Sequence, residues 1–343
     1  MVQAMCKELK ARSTYLEGQS ISSVYFGGGT PSLLSDTHLQ SLLDELQRHF
    51  VIERDAEITL EANPDDLHRQ KIESLRAAGI NRLSIGIQSF DETQLRRMNR
   101  AHTSKEAEFA VKCAQDKGIE NITADLIFAL PDLTVEAYTA DLRRLLGMGV
   151  KHLSAYGLTV EPRTVFHKWS TTGRIQEANA ATFEAHFRTT PQVCQEFGLE
   201  HYEVSNFGLP HFYSRHNTAY WKGDHYVGIG PSAHSYDGLS RQWNIANNPQ
   251  YLHKVATNEV HWEREVIDAK SACNEYLMTG LRTKWGIDLD YISKQTEWTF
   301  GDQQVALIHD FAQKGLATID GQKMALTIDG LLQVDSLTAA LFV

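Results

Sequence analysis

From Ser22 to about Val160 the chain alternates short apolar runs with amphipathic stretches, and this rhythm limits the fold more than any single residue does. The strand-like runs fall at 23–26, 58–62, 82–88, 122–128 and 153–159, and most are rich in Val, Ile, Leu and Tyr. Between them, 36–50, 66–78, 91–118 (broken near Ala101-His102-Thr103) and 135–148 carry apolar residues at helical spacing. Ser35 and Thr134 sit where helix N-caps belong. Gly79, Gly118 and Gly149 sit just past helix ends. Strands and helices alternating at this spacing predict right-handed βαβ units and a parallel sheet of five strands.

Beyond Val160 the rhythm changes. The spacing predicts a long helix over 183–197, then strand-and-loop segments at 201–207 and 226–236 dense in Gly, His and aromatics. From about Val266 the pattern is a small, mainly helical unit: helices at 269–283, 302–314 and 331–342, with a hairpin at 316–326 around Asp320-Gly321. Helices joined to a hairpin resemble a winged-helix module. The expected division is 1–165, 166–262 and 263–343.

With 343 residues, 42% hydrophobic and 22% charged, the chain has the composition of a globular protein. No apolar stretch reaches the length of a membrane span, and no signal peptide opens the chain. A net charge of −10 argues against a nucleic-acid partner. Cys6, Cys113, Cys194 and Cys273 lie far apart, without Cys-x-x-Cys or Cys-x-x-x-Cys spacing, so neither a disulfide framework nor an iron–sulfur cluster is expected from them. A reducing cytoplasm is the expected home. The segment 1–12 already has helical spacing and no capping residue before it, which suggests an absent upstream segment.

In parallel α/β folds ligands bind at the carboxyl ends of the strands, and here each strand ends in polar chemistry. The first runs into Gly27-Gly28-Gly29-Thr30-Pro31. Such a turn either exposes backbone N–H groups to a carboxylate, amino-acid group or phosphate, or is simply a tight turn needing positive φ. It is neither a Walker loop nor Gly-x-Gly-x-x-Gly. The second strand ends in Glu61-Ala62-Asn63-Pro64 and the third in Gln88-Ser89-Phe90. The fourth carries Asp125, and the fifth leads to Thr159-Val160-Glu161-Pro162. Glu61 and Asp125 are carboxylates in otherwise apolar runs, which calls for a ligand or for an internal ion pair, for instance with Arg82 or Arg100. Gln88 suits sugar hydroxyls or is a satisfied core amide. Arg100 is a site cation or a surface arginine, and His102 alone reads as structural. His216-Asn217-Thr218-Ala219-Tyr220-Trp221 joins an imidazole, a common iron ligand, to rings on which a porphyrin-sized plane can stack. A core aromatic cluster is its plain alternative. His225 and His234 are weaker candidates.

These blocks together resemble the HemW/HemN group of radical SAM proteins, the HemW haem chaperones and the oxygen-independent coproporphyrinogen III oxidases. The matching segments are Gly27–Ser32 (Gly-Gly-Gly-Thr-Pro-Ser), Glu61–Pro64, Asn81-Arg82-Leu83-Ser84-Ile85-Gly86-Ile87-Gln88-Ser89-Phe90, Asp125-Leu126-Ile127 with Leu130-Pro131, and Gly228-Ile229-Gly230-Pro231-Ser232-Ala233-His234. The resemblance implies an incomplete (β/α)6 radical SAM barrel, here lacking its first strand, with a C-terminal HemN-type domain. It implies that Gly28, Gly29 and Thr30 meet the methionyl part of S-adenosylmethionine, Glu61 its amino group and Arg100 its carboxylate. Gln88 and Asp125 would face the ribose, and Thr159 and His234 would line the adenosyl and second-ligand side. His216, Asn217, Tyr220 and Trp221 would bind haem, and Ser89-Phe90 after Gln88 leans the same way, toward HemW.

The cofactors implied are S-adenosylmethionine, a [4Fe–4S] cluster and haem, and the implied partners are haem-requiring acceptor proteins, with a homodimer left open. Family members carry a first strand and a Cys-x-x-x-Cys-x-x-Cys loop ahead of these blocks. Since this chain starts after them, the expectation is a truncated or degenerate relative, no catalytic residue or metal ligand of its own, no cleavage of S-adenosylmethionine by the chain as it stands, and an exposed sheet edge at 24–26. Competing readings are an oxygen-independent coproporphyrinogen III dehydrogenase and a non-catalytic protein-binding module.

Overall fold

The computed structural model describes residues 1–343 apart from Arg163, Glu297 and the side chain of Gln295. Along the chain, α1 (Val2–Ala11) leads to β1 (Ile21–Phe26), α2 (Asp36–His49), β2 (Ile52–Ala62), α3 (Arg69–Ala77), β3 (Arg82–Gln88), α4 (Glu92–Arg97), α5 (Ser104–Asp116), β4 (Asn121–Phe128), α6 (Val135–Leu146) and β5 (His152–Gly157). Then follow α7 (Val165–Thr171), α8 (Ala180–Glu196), β6 (Glu200–Glu203), β7 (Asn206–Gly208), α9 (Arg215–Lys222), β8 (His234–Tyr236), β9 (Ser240–Asn244), α10 (Asn248–Thr257) and β10 (Trp262–Val266). The chain ends with α11 (Ala269–Gly280), β11 (Ile287–Asp288), α12 (Leu289–Gln295), α13 (Asp302–Gln313), β12 (Ala317–Asp320), β13 (Lys323–Leu326), α14 (Ile328–Leu331) and α15 (Val334–Leu341). Two compact units result. One gathers Tyr25–Leu33 and Ile58–Tyr213, and the other gathers Met1–Val24, Leu34–Glu57 and Ser214–Val343.

A seven-stranded half-barrel sheet runs in the order β1-β2-β3-β4-β5-β7-β6. Strands β2 to β5 pair in parallel, as the alternation predicts, while β7 and β6 are antiparallel additions. Strand β1 lies at one edge, where the sequence expectation put an edge strand. Fully buried parallel strands usually read as continuous apolar runs, but these alternate. Leu60, Leu83, Ile85, Ile122, Ala124 and Leu153 are buried on one face. That face is covered by α5 against β3 and by α8 against β4 and β5, with α3 on α5 and α6 on α8. The helices supply Ile72, Leu75, Val111, Leu142, Leu145 and Val193. Each such aliphatic side chain contributes about 1.5–3 kcal/mol by leaving water. The other face carries Thr59, Glu61, Arg82, Ser84, Thr123, Asp125, His152, Ser154 and Asn206, polar residues that share register rows.

Local signals explain the helix ends. Ser35 accepts from the His38 backbone N–H and Thr134 from that of Ala137, while Thr103 and Glu106 form a capping box at the break expected near 101–103. In the second unit, β8, β9 and β10 form a three-stranded antiparallel sheet, and β11, β13 and β12 another. The β12–β13 hairpin turns at Gly321, φ +59°, as the Asp-Gly pair predicts. Among the described residues no helix is long and apolar enough to cross a membrane.

Leu83 sits at the centre of the apolar face with no exposed surface. Leu83→Ala is expected to cost about 2–5 kcal/mol through lost transfer energy and the residual cavity. Chemical denaturation measures it, and a loss below about 1 kcal/mol contradicts this packing.

Candidate functional site

The sheet's polar face brings several predicted residues together. Glu61, Ser84, Thr123 and His152 share one register row, and Asp125, Ser154 and Asn206 share the next. Asp125 is half-buried, and burial raises its carboxyl to about 7, with Glu61 raising it further and Ser84, Ser154 and Arg100 opposing. Its proton therefore comes and goes near neutral pH. Tyr156, next along β5 on the same face, is pushed up to about 12, chiefly by burial and then by Asp125.

At the end of β1 the glycine turn faces Glu61. The Tyr25 hydroxyl donates to Glu61 Oε1 (2.8 Å) and the Gly28 amide to Oε2 (3.1 Å). Gly28 and Gly29 adopt φ of +73° and +65° and have open space where a Cβ would stand. At Gly27 a Cβ would lie 2.7 Å from the Tyr25 ring and 3.0 Å from Glu61 Oε1. The tight-turn reading describes this geometry: positive φ at Gly28 and Gly29 favours glycine, and the Gly28 N–H is spent on Glu61. Ser32 Oγ donates to Asp66 Oδ2 (2.6 Å), tying the turn to the segment after β2.

Gln88 ends β3 in a strained conformation. Its φ is +69°, and the Ser89 N–H donates back to the Ile87 carbonyl (2.9 Å), closing a γ-turn. The register of β3 against β4 slips there. The side-chain amide folds back over Gly86, where a Cβ would lie 2.8 Å from Gln88 Nε2. His102 is buried, its Nε2 donates to the same Ile87 carbonyl (3.1 Å), and burial lowers its pKa. It supports the turn, in line with its structural reading. Arg100 is half-buried, and Nη1 donates to Asn63 Oδ1 (3.3 Å). Burial lowers its pKa against the opposing pull of Asp125 and Asp65. Thr159 is exposed beyond the end of β5. One unit thus holds Gly28, Gly29, Thr30, Glu61, Gln88, Arg100, Asp125 and Thr159.

His234 lies in the other unit, exposed at the start of β8, its ring 6.3 Å from that of Trp243. The preceding Gly-Ile-Gly block is anchored by a buried carboxylate. Glu8 accepts from the Gly230 amide (2.8 Å), Asn244 Nδ2 (2.7 Å), the Tyr251 hydroxyl (2.6 Å) and His261 Nε2 (3.1 Å). In the same unit α9 carries His216, Asn217, Tyr220 and Trp221. Ser214 caps it by accepting from the Asn217 amide, and Gly223 ends it at φ +72°. His216 and Tyr220, one turn apart, meet edge-on with ring centroids 4.9 Å apart, and Tyr226 packs against Tyr220 at 4.5 Å. His216 is half-buried, and burial lowers its pKa to about 4, so its imidazole is neutral across the physiological range.

The four thiols lie on α1, α5, α8 and α11 and do not converge, and burial raises the pKa of Cys194. Among the described residues no group of three or more His, Cys, Asp or Glu could hold a metal ion. These residues do not fit an iron–sulfur cluster. The polar face does suit a cationic ligand with a sugar: carboxyls at Glu61 and Asp125, an amide at Gln88 and open backbone at Gly28 and Gly29. Sequence reasoning missed Tyr25, Ser84, Ser154, Tyr156 and Asn206, which surround the carboxyls. Their signal was a polar side chain, small or tyrosine, at alternate positions along the strands.

A family model for the radical SAM superfamily matches residues 6–145. The chain is 33% identical over 333 residues to the heme chaperone HemW of Lactococcus lactis, covering 96% of this chain and 86% of that one. It is 32% identical over 325 residues to HemW of Bacillus subtilis, covering 91% and 83%. Among solved structures, Escherichia coli coproporphyrinogen III oxidase HemN, a radical SAM enzyme, superposes with a TM-score of 0.84 at 22% identity, covering 99% of this chain and 82% of that one. That likeness shows the fold.

Asp125 takes up a proton on folding between its ordinary range near 4 and about 7. Its contribution to stability therefore declines as pH rises through that window. Asp125→Asn removes the ionisation: thermal melting is expected to show the variant more stable than the parent at pH 8, with the gap closing toward pH 4. A gap independent of pH contradicts the assignment. Gln88→Gly relieves the left-handed strain, of the order of 1 kcal/mol, and is expected to melt no lower than the parent. Gln88→Val, β-branched at positive φ, is expected to melt lower, and the reverse order contradicts the γ-turn.

Proposed function

The chain belongs to the HemW family within the radical SAM superfamily, and on that premise we propose that it binds haem and delivers it to haem-requiring proteins in the cytoplasm. The observation that carries this reading is the likeness to HemW over 96% of the chain. It is supported by α9, which sets a neutral imidazole at His216 edge-on to Tyr220, with Tyr226 next to it. His216 would ligate the iron, Tyr220 and Trp221 would offer ring faces, and Asn217 a polar contact on the same helix. The segment 263–343 would be the HemN-type C-terminal domain.

The family also implies S-adenosylmethionine, which when bound supplies a sulfonium-linked nucleoside and amino acid. Gly28, Gly29 and Thr30 would present backbone to its methionyl end, Glu61 would meet the ammonium and Arg100 the carboxylate. Gln88 and Asp125 would take the ribose hydroxyls and Thr159 the adenosyl side, while His234, in the other unit, would serve the second ligand. The carboxyls of Glu61 and Asp125 favour the ligand's positive charge, and Tyr25 orients Glu61 through its hydrogen bond.

Haemin titration followed at the Soret band tests the haem reading. The parent chain is expected to bind and His216→Ala to bind at least about tenfold more weakly, a loss of about 1.4 kcal/mol. Because the imidazole is neutral down to about pH 4, binding by the parent is expected to hold steady from pH 5.5 to 8. An unchanged Soret band in His216→Ala contradicts ligation at α9.

A further inference from the structure

Helix α9 begins against the first half of β2, whose residues 52–57 lie in the same unit. Ser214 is the N-cap, so His216 holds the second helical position. The helix's own ladder begins only at Thr218, whose N–H donates to the Ser214 carbonyl (3.0 Å). Backbone N–H groups ahead of that point need partners from outside the ladder. Ser214 Oγ accepts from the Asn217 amide (3.2 Å), and Glu57 Oε1 accepts from the His216 amide (3.3 Å). Beside them, the Arg215 guanidinium donates to the Asp55 carbonyl oxygen (2.9 Å) and to Asp55 Oδ2 (3.1 Å). Asp55 and Glu57 are two apart on the strand and share a face, but they do not count equally. The Arg215 and Asp55 side chains are 48% and 76% exposed, and such a pair is screened by water. Glu57 is 5% exposed. A carboxylate held out of water needs donors, and the first turn of a helix offers them together with the positive end of its dipole.

We propose that Glu57 is a positioning residue for iron ligation: through the His216 amide it fixes the first turn of α9 and so holds the His216 imidazole ready for haem. This rests on the haem reading of α9. Glu57 acts on the backbone of His216 and not on the porphyrin. The effect reaches the imidazole because the direction in which a helical side chain leaves its Cα is set by the backbone. Tyr220 and Trp221, which offer ring faces, stand in the second turn, past the amides that depend on outside partners. Loss of the Glu57 carboxylate therefore separates two parts of haem binding. Ligation by His216 weakens with the first turn, while stacking on the rings of the second turn persists.

Haemin and metal-free protoporphyrin IX, each titrated into the full chain, read the two parts. In Glu57→Ala haemin is expected to bind about tenfold more weakly, with the Soret band moved to the position it takes in His216→Ala. Metal-free protoporphyrin, followed by its fluorescence, is expected to bind Glu57→Ala as it binds the parent. Glu57→Gln keeps an acceptor oxygen and is expected to restore parental haemin binding. The double variant Glu57→Ala/His216→Ala is expected to bind haemin no more weakly than His216→Ala, since the anchor then has no imidazole to position. Unchanged haemin binding in Glu57→Ala, equal loss for both porphyrins, a further loss in the double variant, or failure of Glu57→Gln to restore binding overturns the positioning role. Should Glu57→Ala not fold, Glu57→Met, similar in length and without an oxygen, takes its place. Hydrogen exchange judges the anchor without any porphyrin. The His216 amide is expected to exchange about tenfold faster in Glu57→Ala than in the parent or in Glu57→Gln, and unchanged exchange overturns the anchor. Haemin binding insensitive to His216→Ala overturns the haem reading of α9 and ligation with it, while amide exchange still judges the anchor.

Discussion

One face of the half-barrel sheet is apolar and the other polar, and the candidate nucleoside site depends on this division. A parallel sheet covered by helices gains its stability on the face that carries Leu83, Ile85 and Ile122. Because side chains alternate with a period of two, each strand then has a second set of positions released from packing against helices. Those positions hold Glu61, Ser84, Asp125, Ser154 and Asn206 in shared rows. Carboxyls held out of water are costly unless partnered. The structure partners Glu61 with Tyr25 and Gly28, and lets Asp125 hold a proton near neutrality.

The strand ends depart from regular geometry. The glycine turn opens backbone beside Glu61, and the γ-turn at Gln88 bends an amide over Gly86 that an ordinary strand residue would point elsewhere. Strain of this kind persists only where neighbours enforce it, and His102 does so from the Ile87 carbonyl. The four thiols lie on four different helices and do not converge. In the second unit, Glu8 holds the Gly228–His234 block through the Gly230 amide and ties it to Asn244, Tyr251 and His261.

Much of this was legible in the sequence where local rules decide. Strand β3 begins and ends where its apolar run does, and the caps at Ser35 and Thr134 and the glycines after α3, α5 and α6 stand where expected. The first half of β2 was not, because Ile52–Glu57 is mostly charged and shows no apolar run. The strand-and-loop segment expected at 201–207 covers most of β6 and β7, but their antiparallel pairing, with each other and of β7 with distant β5, was not legible. The end residues Glu61, Gln88 and Asp125 stood out as polar breaks in apolar strands. Tyr25, Ser154 and Asn206 did not, since small or aromatic polar residues pass as ordinary strand formers until register sets them beside a carboxyl. The strain at Gln88 was hidden too: nothing in a glutamine announces positive φ.

The claim that one polar sheet face is a nucleoside seat is tested most directly by a crystal structure of this chain with S-adenosylhomocysteine. The account predicts the ribose hydroxyls against Asp125 and Gln88, with the amino-acid end at Gly28–Thr30 and Glu61. Electron density for the ligand elsewhere on the protein, with this face filled only by solvent, would contradict it.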